Sequence, residues 1–183
     1  CGQFNALLLF GTYFLPEPVR NFNLPAISLN PNTEQPQFSY LTANHRAAAE
    51  SAVRYLLERG HKRIALIGSS PLSSFSQHLR ALGWQDAYDK AGLSAPRELI
   101  VPNLLLESEI EQERRFEALI RRGDYSALFF SNGALLQRFL PVYARVSGKR
   151  ADSLEGFCFD DLDAMVKVGD ECSLNFVRMP LVR

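Results

Sequence analysis

Short apolar runs alternate along the chain with longer stretches in which apolar residues recur every three or four positions. The runs Ala6–Phe10, Ala26–Leu29, Phe38–Leu41, Arg63–Ile67, Leu99–Val101, Ala127–Ser131, Gly156–Phe159 and Leu174–Val177 predict strands. The segments Asn44–Arg59, Ser76–Ala91, Ser108–Arg122 and Asn132–Val146 carry the helical period. The first helix is the clearest: Ala48, Ala52, Val53, Leu56 and Leu57 make one apolar stripe. Asn44 stands where an N-cap is needed, and Gly60-His61 closes the far end, glycine being suited to the left-handed turn that stops a helix. Pro141 falls inside the last helix. It lacks a backbone donor and crowds the preceding turn, so a kink or an early break is expected there.

The strand candidates are apolar throughout rather than alternating, which predicts a parallel sheet covered on both faces. The expected fold class is therefore α/β, with doubly wound parallel sheets. Folds of this kind bind ligands beyond the carboxyl ends of their strands. The residues at those exits are Asn30, Ser69 to Ser76, Asn103-Leu104, Ser131-Asn132 and Asp160-Asp161, and nearly all are polar. The stretch from Leu15 to Asn44 differs in texture, with Pro16, Pro18, Pro25, Pro31 and Pro36 and few charges, and reads as short strands joined by turns.

At 183 residues the chain makes one large domain or two small ones. Lys+Arg and Asp+Glu are equal at 20 each, so no global basic field draws nucleic acid to it. The longest apolar run, Ala6 to Gly11, falls far short of a membrane span, and the start lacks the pattern of a signal peptide. Cys1, Cys158 and Cys172 form neither a disulfide framework nor a metal-ligand spacing, and Cys158, between Phe157 and Phe159, reads as a buried thiol. These features together predict a cytoplasmic protein.

The loop SSPLSSFS holds five serines in eight residues and leads into a helix with Arg80 four positions before the only tryptophan, Trp84. It has no G-x-x-x-x-G-K-[ST], and no G-x-G-x-x-G occurs in the chain, which argues against nucleotide and nicotinamide cofactors. No serine has the G-x-S-x-G elbow, and none of His45, His61 and His78 has an orienting acid at a useful spacing. His61, in the helix-ending Gly-His-Lys-Arg, is suited to stabilising a helix C-terminus. The run Asp160-Asp161-Leu162-Asp163 fails the spacing of a calcium loop and fits a solvated loop or one ligand-binding carboxylate. No catalytic residue, metal or cofactor is expected. Arg80 is either a solvated helix-face arginine or, being close to a strand exit, a ligand anchor. Arg, Asn and Asp gathered at strand ends suit a polyhydroxylated ligand, with Arg and Asn donating to its oxygens and Asp accepting from its hydroxyls.

The segments Gly60-His61-Lys62-Arg63-Ile64-Ala65-Leu66-Ile67-Gly68, Pro71-Leu72-Ser73-Ser74 and Leu79-Arg80-Ala81-Leu82-Gly83-Trp84 resemble the effector domain of LacI/GalR-type bacterial transcription regulators. Ala127 to Leu135 is similar to that family's strand-Asn-helix segment, Phe157-Cys158-Phe159-Asp160-Asp161 to its V-G-Y/F-D-D strand end, and Leu174 to Arg178 to its L-T-T-V-R crossover strand. The resemblance implies a type I periplasmic-binding-protein architecture, with two α/β subdomains and a ligand cleft between them. Residues 1–43 would belong to the N-terminal subdomain, 44–178 would form the C-terminal one, and 179–183 would return to the first.

The family's ligand positions fall on Asn30, Ser76, Arg80, Leu104, Asn132, Asp160 and Met179. Arg80, Asn132 and Asp160 keep the family's polar types. Asn30 stands where an acid is common, Leu104 where an aromatic often stacks on the ligand, and Met179 where a polar residue is frequent. The resemblance also implies a sugar or sugar-phosphate effector, a homodimer, no membrane association, and operator DNA read by a helix-turn-helix not in this sequence. Relative to the family the sequence reads as a piece incomplete at both ends. Leu135, Leu136, Phe139 and Val142 are the expected dimer-interface residues, since their apolarity exceeds what one core-facing stripe requires. The function so implied is effector sensing by a transcription regulator, a repressor. A periplasmic-type sugar-binding protein for transport or chemotaxis is the alternative, and an α/β enzyme lacks a nucleophile-base pair.

Overall fold

The computed structural model describes residues 5–10, 24–29, 39–68, 75–102, 108–150, 154–159 and 174–177. A first sheet holds β1 (Leu7–Phe10), β2 (Ala26–Leu29) and β3 (Ser39–Leu41), all parallel, in the order β1-β2-β3. A second sheet holds β4 (Ile64–Ile67), β5 (Ile100–Val101), β6 (Ala127–Phe130), β7 (Gly156–Phe159) and β8 (Leu174–Val177), in the order β5-β4-β6-β7-β8. Each neighbouring pair in it is parallel. The helices are α1 (His45–Glu58), α2 (Phe75–Lys90), α3 (Glu109–Arg122) and α4 (Gly133–Ser147).

The helix ends follow local chemistry. Asn44 Oδ1 accepts the Ala47 N–H at 3.1 Å and Ser108 Oγ accepts the Glu111 N–H at 3.2 Å, each satisfying a donor that the helix leaves orphaned. At the far end of α1, Gly60 adopts a φ of 93°, and the Gly60 and His61 N–H groups bond to the Leu57 and Leu56 carbonyls. Glu109 and Glu111 open α3 while Arg121 and Arg122 end it, each sign placed where the helix dipole favours it.

Because successive side chains of a strand point to opposite faces, a strand apolar at every position feeds two cores. Ile64, Leu66, Ala127 and Phe129 face α1 and α2, where they meet Ala49, Val53, Leu56, Trp84 and Tyr88. Ala65, Ile67, Leu128 and Phe130 face α3 and α4, where they meet Phe116, Leu119, Leu136 and Phe139. The second sheet is thus a doubly wound, three-layer unit, and Cys158 is a buried thiol within it.

The interface expectation for Leu135, Leu136, Phe139 and Val142 requires correction. All four are 3% exposed or less and belong to the core between α4 and the sheet. Side chains already covered by their own chain have no surface to offer a second copy. Of the kink or early break expected at Pro141, the break does not occur, since α4 runs on to Ser147. Pro141 sits on the exposed side while Phe139, Val142 and Tyr143 are buried around it, so packing on the far side holds the helix across the missing hydrogen bond.

Gly83 sets how closely α1 and α2 approach. A Cβ there would lie 2.2 Å from the Arg46 carbonyl oxygen and 2.9 Å from both Ala49 Cβ and Glu50 N. Backbone cannot yield as a flexible side chain does, so Gly83→Ala is expected to cost roughly 1–3 kcal/mol by overpacking. Urea unfolding should show a lower midpoint with an unchanged slope.

Candidate functional site

The register of the second sheet brings four strand ends to one edge. Ile67 pairs with Val101 on one side and with Phe130 on the other, and Phe130 pairs with Cys158, next to Phe159. Immediately past these ends, the exits of β4 and β6 are tied together. The Ser131 N–H donates to the Ile67 carbonyl at 2.8 Å and the Ser131 hydroxyl to the Gly68 carbonyl at 3.1 Å. Gly68 has a φ of 104°, and a Cβ on it would fall 2.1 Å from Ser131 Oγ and 2.2 Å from Leu135 Cδ1. Only glycine fits between the strand and the cap of α4.

Helix α2 lays Arg80, Trp84 and Tyr88, spaced four residues apart, along the sheet, and all three are buried. At the far end of this stripe, Trp84 Nε1 donates to the Ile64 carbonyl at 3.2 Å. The Tyr88 hydroxyl accepts the Ile64 N–H at 3.0 Å and donates to the Lys62 carbonyl at 3.2 Å. These bonds fix the helix against β4 and set where its first turns reach the carboxyl edge.

That is where Arg80 lies, only 4% exposed. Its Nη1 donates to the Ser131 carbonyl, its Nε and Nη2 approach His45 Nδ1 at 3.4 and 3.3 Å, and its guanidinium carbon stands 3.7 Å above the Phe159 ring. A charge so far from water is tolerable only when it is partnered, and a carbonyl, an imidazole nitrogen and an aromatic face each partner it here. His45, at the first residue of α1, is 1% exposed and its ring lies 5.5 Å from that of Phe159. Burial, reinforced by the Arg80 charge, lowers its pKa from 6.5 to about 4, so the imidazole is neutral. Arginine only donates, which makes Nδ1 the acceptor and places the ring proton on Nε2.

Ser76 is half-buried in the first turn of α2, one turn before Arg80 on the same face. Asn132 follows Ser131, and its Oδ1 accepts the Leu135 N–H at 3.0 Å, so that oxygen caps α4. Asn30, Leu104, Asp160 and Met179 lie outside the described residues, as does most of the serine loop and the run from Asp160 to Asp163. The surface-arginine alternative for Arg80 is excluded by its burial.

Of the residues around Arg80, Ser131 is among the strand exits picked out from the sequence, whereas His45 and Phe159 were not assigned to the site from it. The signal available for them was position, since each adjoins or ends an element at the carboxyl edge. Among the described residues no cluster of His, Cys, Asp and Glu could hold a metal ion, and no helix is long and apolar enough to cross a membrane.

The model of the family described as periplasmic binding proteins and the sugar binding domain of the LacI family matches residues 15–121. The chain belongs to this family. No curated protein matches it. Among solved structures, a LacI-family regulatory protein from Chloroflexus aggregans is 22% identical with a TM-score of 0.74, the match covering 96% of this chain and 63% of that one. A LacI-family regulator from Lactobacillus casei with bound glucose is 17% identical with a TM-score of 0.71, covering 96% and 66%. One from Enterococcus faecium with bound ribose is 19% identical with a TM-score of 0.72, covering 90% and 59%. The chain thus shares the fold of these regulators and spans less than two thirds of the length of each.

Proposed function

We propose that this chain is the ligand-sensing part of a bacterial LacI-type transcription regulator, a repressor, whose effector is a sugar or sugar phosphate. The observation that carries the reading is the Arg80 guanidinium, set on Phe159 and Ser131 at the carboxyl edge of a parallel sheet, where this architecture gathers its ligand loops. A fixed fork of donors beside an aromatic face suits a polyhydroxylated ring, and glucose and ribose in two structural relatives support that class of ligand. Asp160, Asn30, Leu104 and Met179 remain proposed ligand contacts together with Ser76 and Asn132.

In this reading residues 1–43 with 179–183 belong to one subdomain and 44–178 to the other, with the effector between them. Effector binding shifts the population toward a closed arrangement, and the rotation changes the spacing of two DNA-reading heads in a homodimer. The heads lie in a part of the protein outside this chain. Any intersubunit contact made by α4 uses its exposed side, which carries Arg138, Pro141 and Arg145, rather than its buried stripe. The protein is cytoplasmic and has no catalytic activity of its own. The family description also covers periplasmic binding proteins. An effector-dependent change in operator affinity separates the regulator from that alternative.

Calorimetric titration with D-ribose and D-glucose tests the site. Arg80→Ala should remain folded by circular dichroism and lose about ten- to a hundredfold in affinity, the range for a charged hydrogen-bonding partner worth roughly 1.5–3 kcal/mol. An unchanged affinity would remove Arg80 from the site.

A further inference from the structure

We propose that His45 is a positioning and specificity-determining residue of the effector site: its Nδ1 holds the Arg80 fork, and its buried Nε2–H is kept for an acceptor oxygen of the effector. The inference rests on the sugar-sensing reading and deepens it.

Two observations carry it. The first is the pair of approaches from Arg80 Nε and Nη2 to one imidazole nitrogen, at 3.4 and 3.3 Å, which pins the guanidinium on the side opposite Ser131. With Ser131 on Nη1 and Phe159 beneath, the plane of the fork is fixed before any ligand arrives. The second is that Nε2 is buried and has no hydrogen-bond partner among the described residues. The tautomer set by Arg80 makes it an N–H, a group that folded proteins rarely leave unmet in the interior.

The two nitrogens of an imidazole point nearly away from each other, so this N–H is directed away from Arg80. Tight packing alone could be met by a leucine or phenylalanine, without an unmet donor. A buried N–H beside a preset arginine, at the sheet edge where ligands enter, fits a donor waiting for a hydroxyl, ring or phosphate oxygen. It would also discriminate, since an effector lacking an oxygen at that point leaves the donor unmet.

The experiment uses the full chain labelled with nitrogen-15, the variants His45→Asn and His45→Leu, and D-ribose and D-glucose as probes. Asparagine keeps an acceptor near the place of Nδ1 but has no counterpart of Nε2–H, whereas leucine keeps neither. Without sugar, the Arg80 Nε–H resonance should be resolved in the wild type and in His45→Asn, and should broaden into the pool of mobile arginines in His45→Leu. An Arg80 signal unchanged in His45→Leu overturns the positioning role whatever the protein binds.

With the sugar that binds, wild-type His45 Nε2–H should shift and exchange more slowly. Affinity should fall at least tenfold in His45→Leu and by a smaller factor in His45→Asn. Wild-type binding that leaves the Nε2–H signal in place, or equal affinity in all three proteins, overturns the donor role. Failure of the wild type to bind either sugar counts against the sugar reading instead, and the sugar-free Arg80 signals then decide the positioning role of His45.

Discussion

Phe139→Ala should lower the stability of the folded chain by about 3–5 kcal/mol, the range for removing a buried aromatic ring and leaving a cavity. Phe139 is fully buried, and its ring meets three others: edge-on with Phe116 at 5.3 Å and Phe130 at 5.2 Å, and stacked with Tyr143 at 5.9 Å. It therefore joins α3, α4 and β6 at one point, and neighbours drawn from three elements cannot collapse together to fill the space. Urea unfolding followed by circular dichroism measures the loss. The same protein in the ultracentrifuge separates this reading from an interface role. A core residue changes the unfolding midpoint and leaves the association state of the folded protein alone, whereas an interface residue does the reverse. A loss below about 1 kcal/mol would contradict the core placement.

Acid should expose the second large effect, and it belongs to His45. The unfolded imidazole titrates near 6.5, and in the folded chain burial, then the Arg80 charge, lowers that to about 4. Between these values the unfolded state binds the extra proton and the folded state does not, so stability rises with pH across the window. The contribution is complete above pH 6.5 and is lost as pH falls toward 4, by roughly 3 kcal/mol at about 1.4 kcal/mol per pKa unit. Carboxylates held low by arginine, among them Asp86 with Arg46, also weaken the fold in acid, so the comparison must be made against His45→Asn. The stability difference between wild type and variant should change by roughly 3 kcal/mol in the variant's favour between pH 7 and pH 4, while the shared carboxylate effect cancels. Parallel stability curves would mean that His45 titrates normally and is not desolvated as described.

Much of this molecule could be read along the chain because the deciding interactions are short in sequence. The cap at Asn44 bonds to an N–H three residues on, and Gly60 ends α1 within one turn. Strands apolar at every position announced a sheet covered on both faces, and Ile64 through Ile67 supply both cores by simple alternation. Arg80 could be singled out because the fold class itself says where ligands bind.

Other features needed the tertiary structure, since their partners are far apart in the chain. His45 and Arg80 are separated by 35 residues and Arg80 and Ser131 by 51, so no local pattern records that they meet. The helical period of α4 marks its apolar residues but cannot say whether a sheet of the same chain or a second copy covers them. Packing against β6 and α3 places Leu135, Leu136, Phe139 and Val142 in the core. Pro141 reads as a breaker by its own chemistry, yet the buried side of α4 carries the helix through it. Periodicity and capping, being local, were determined by the sequence itself. The closing of Arg80 between His45, Ser131 and Phe159 was decided only when burial made three distant elements share one edge of the sheet.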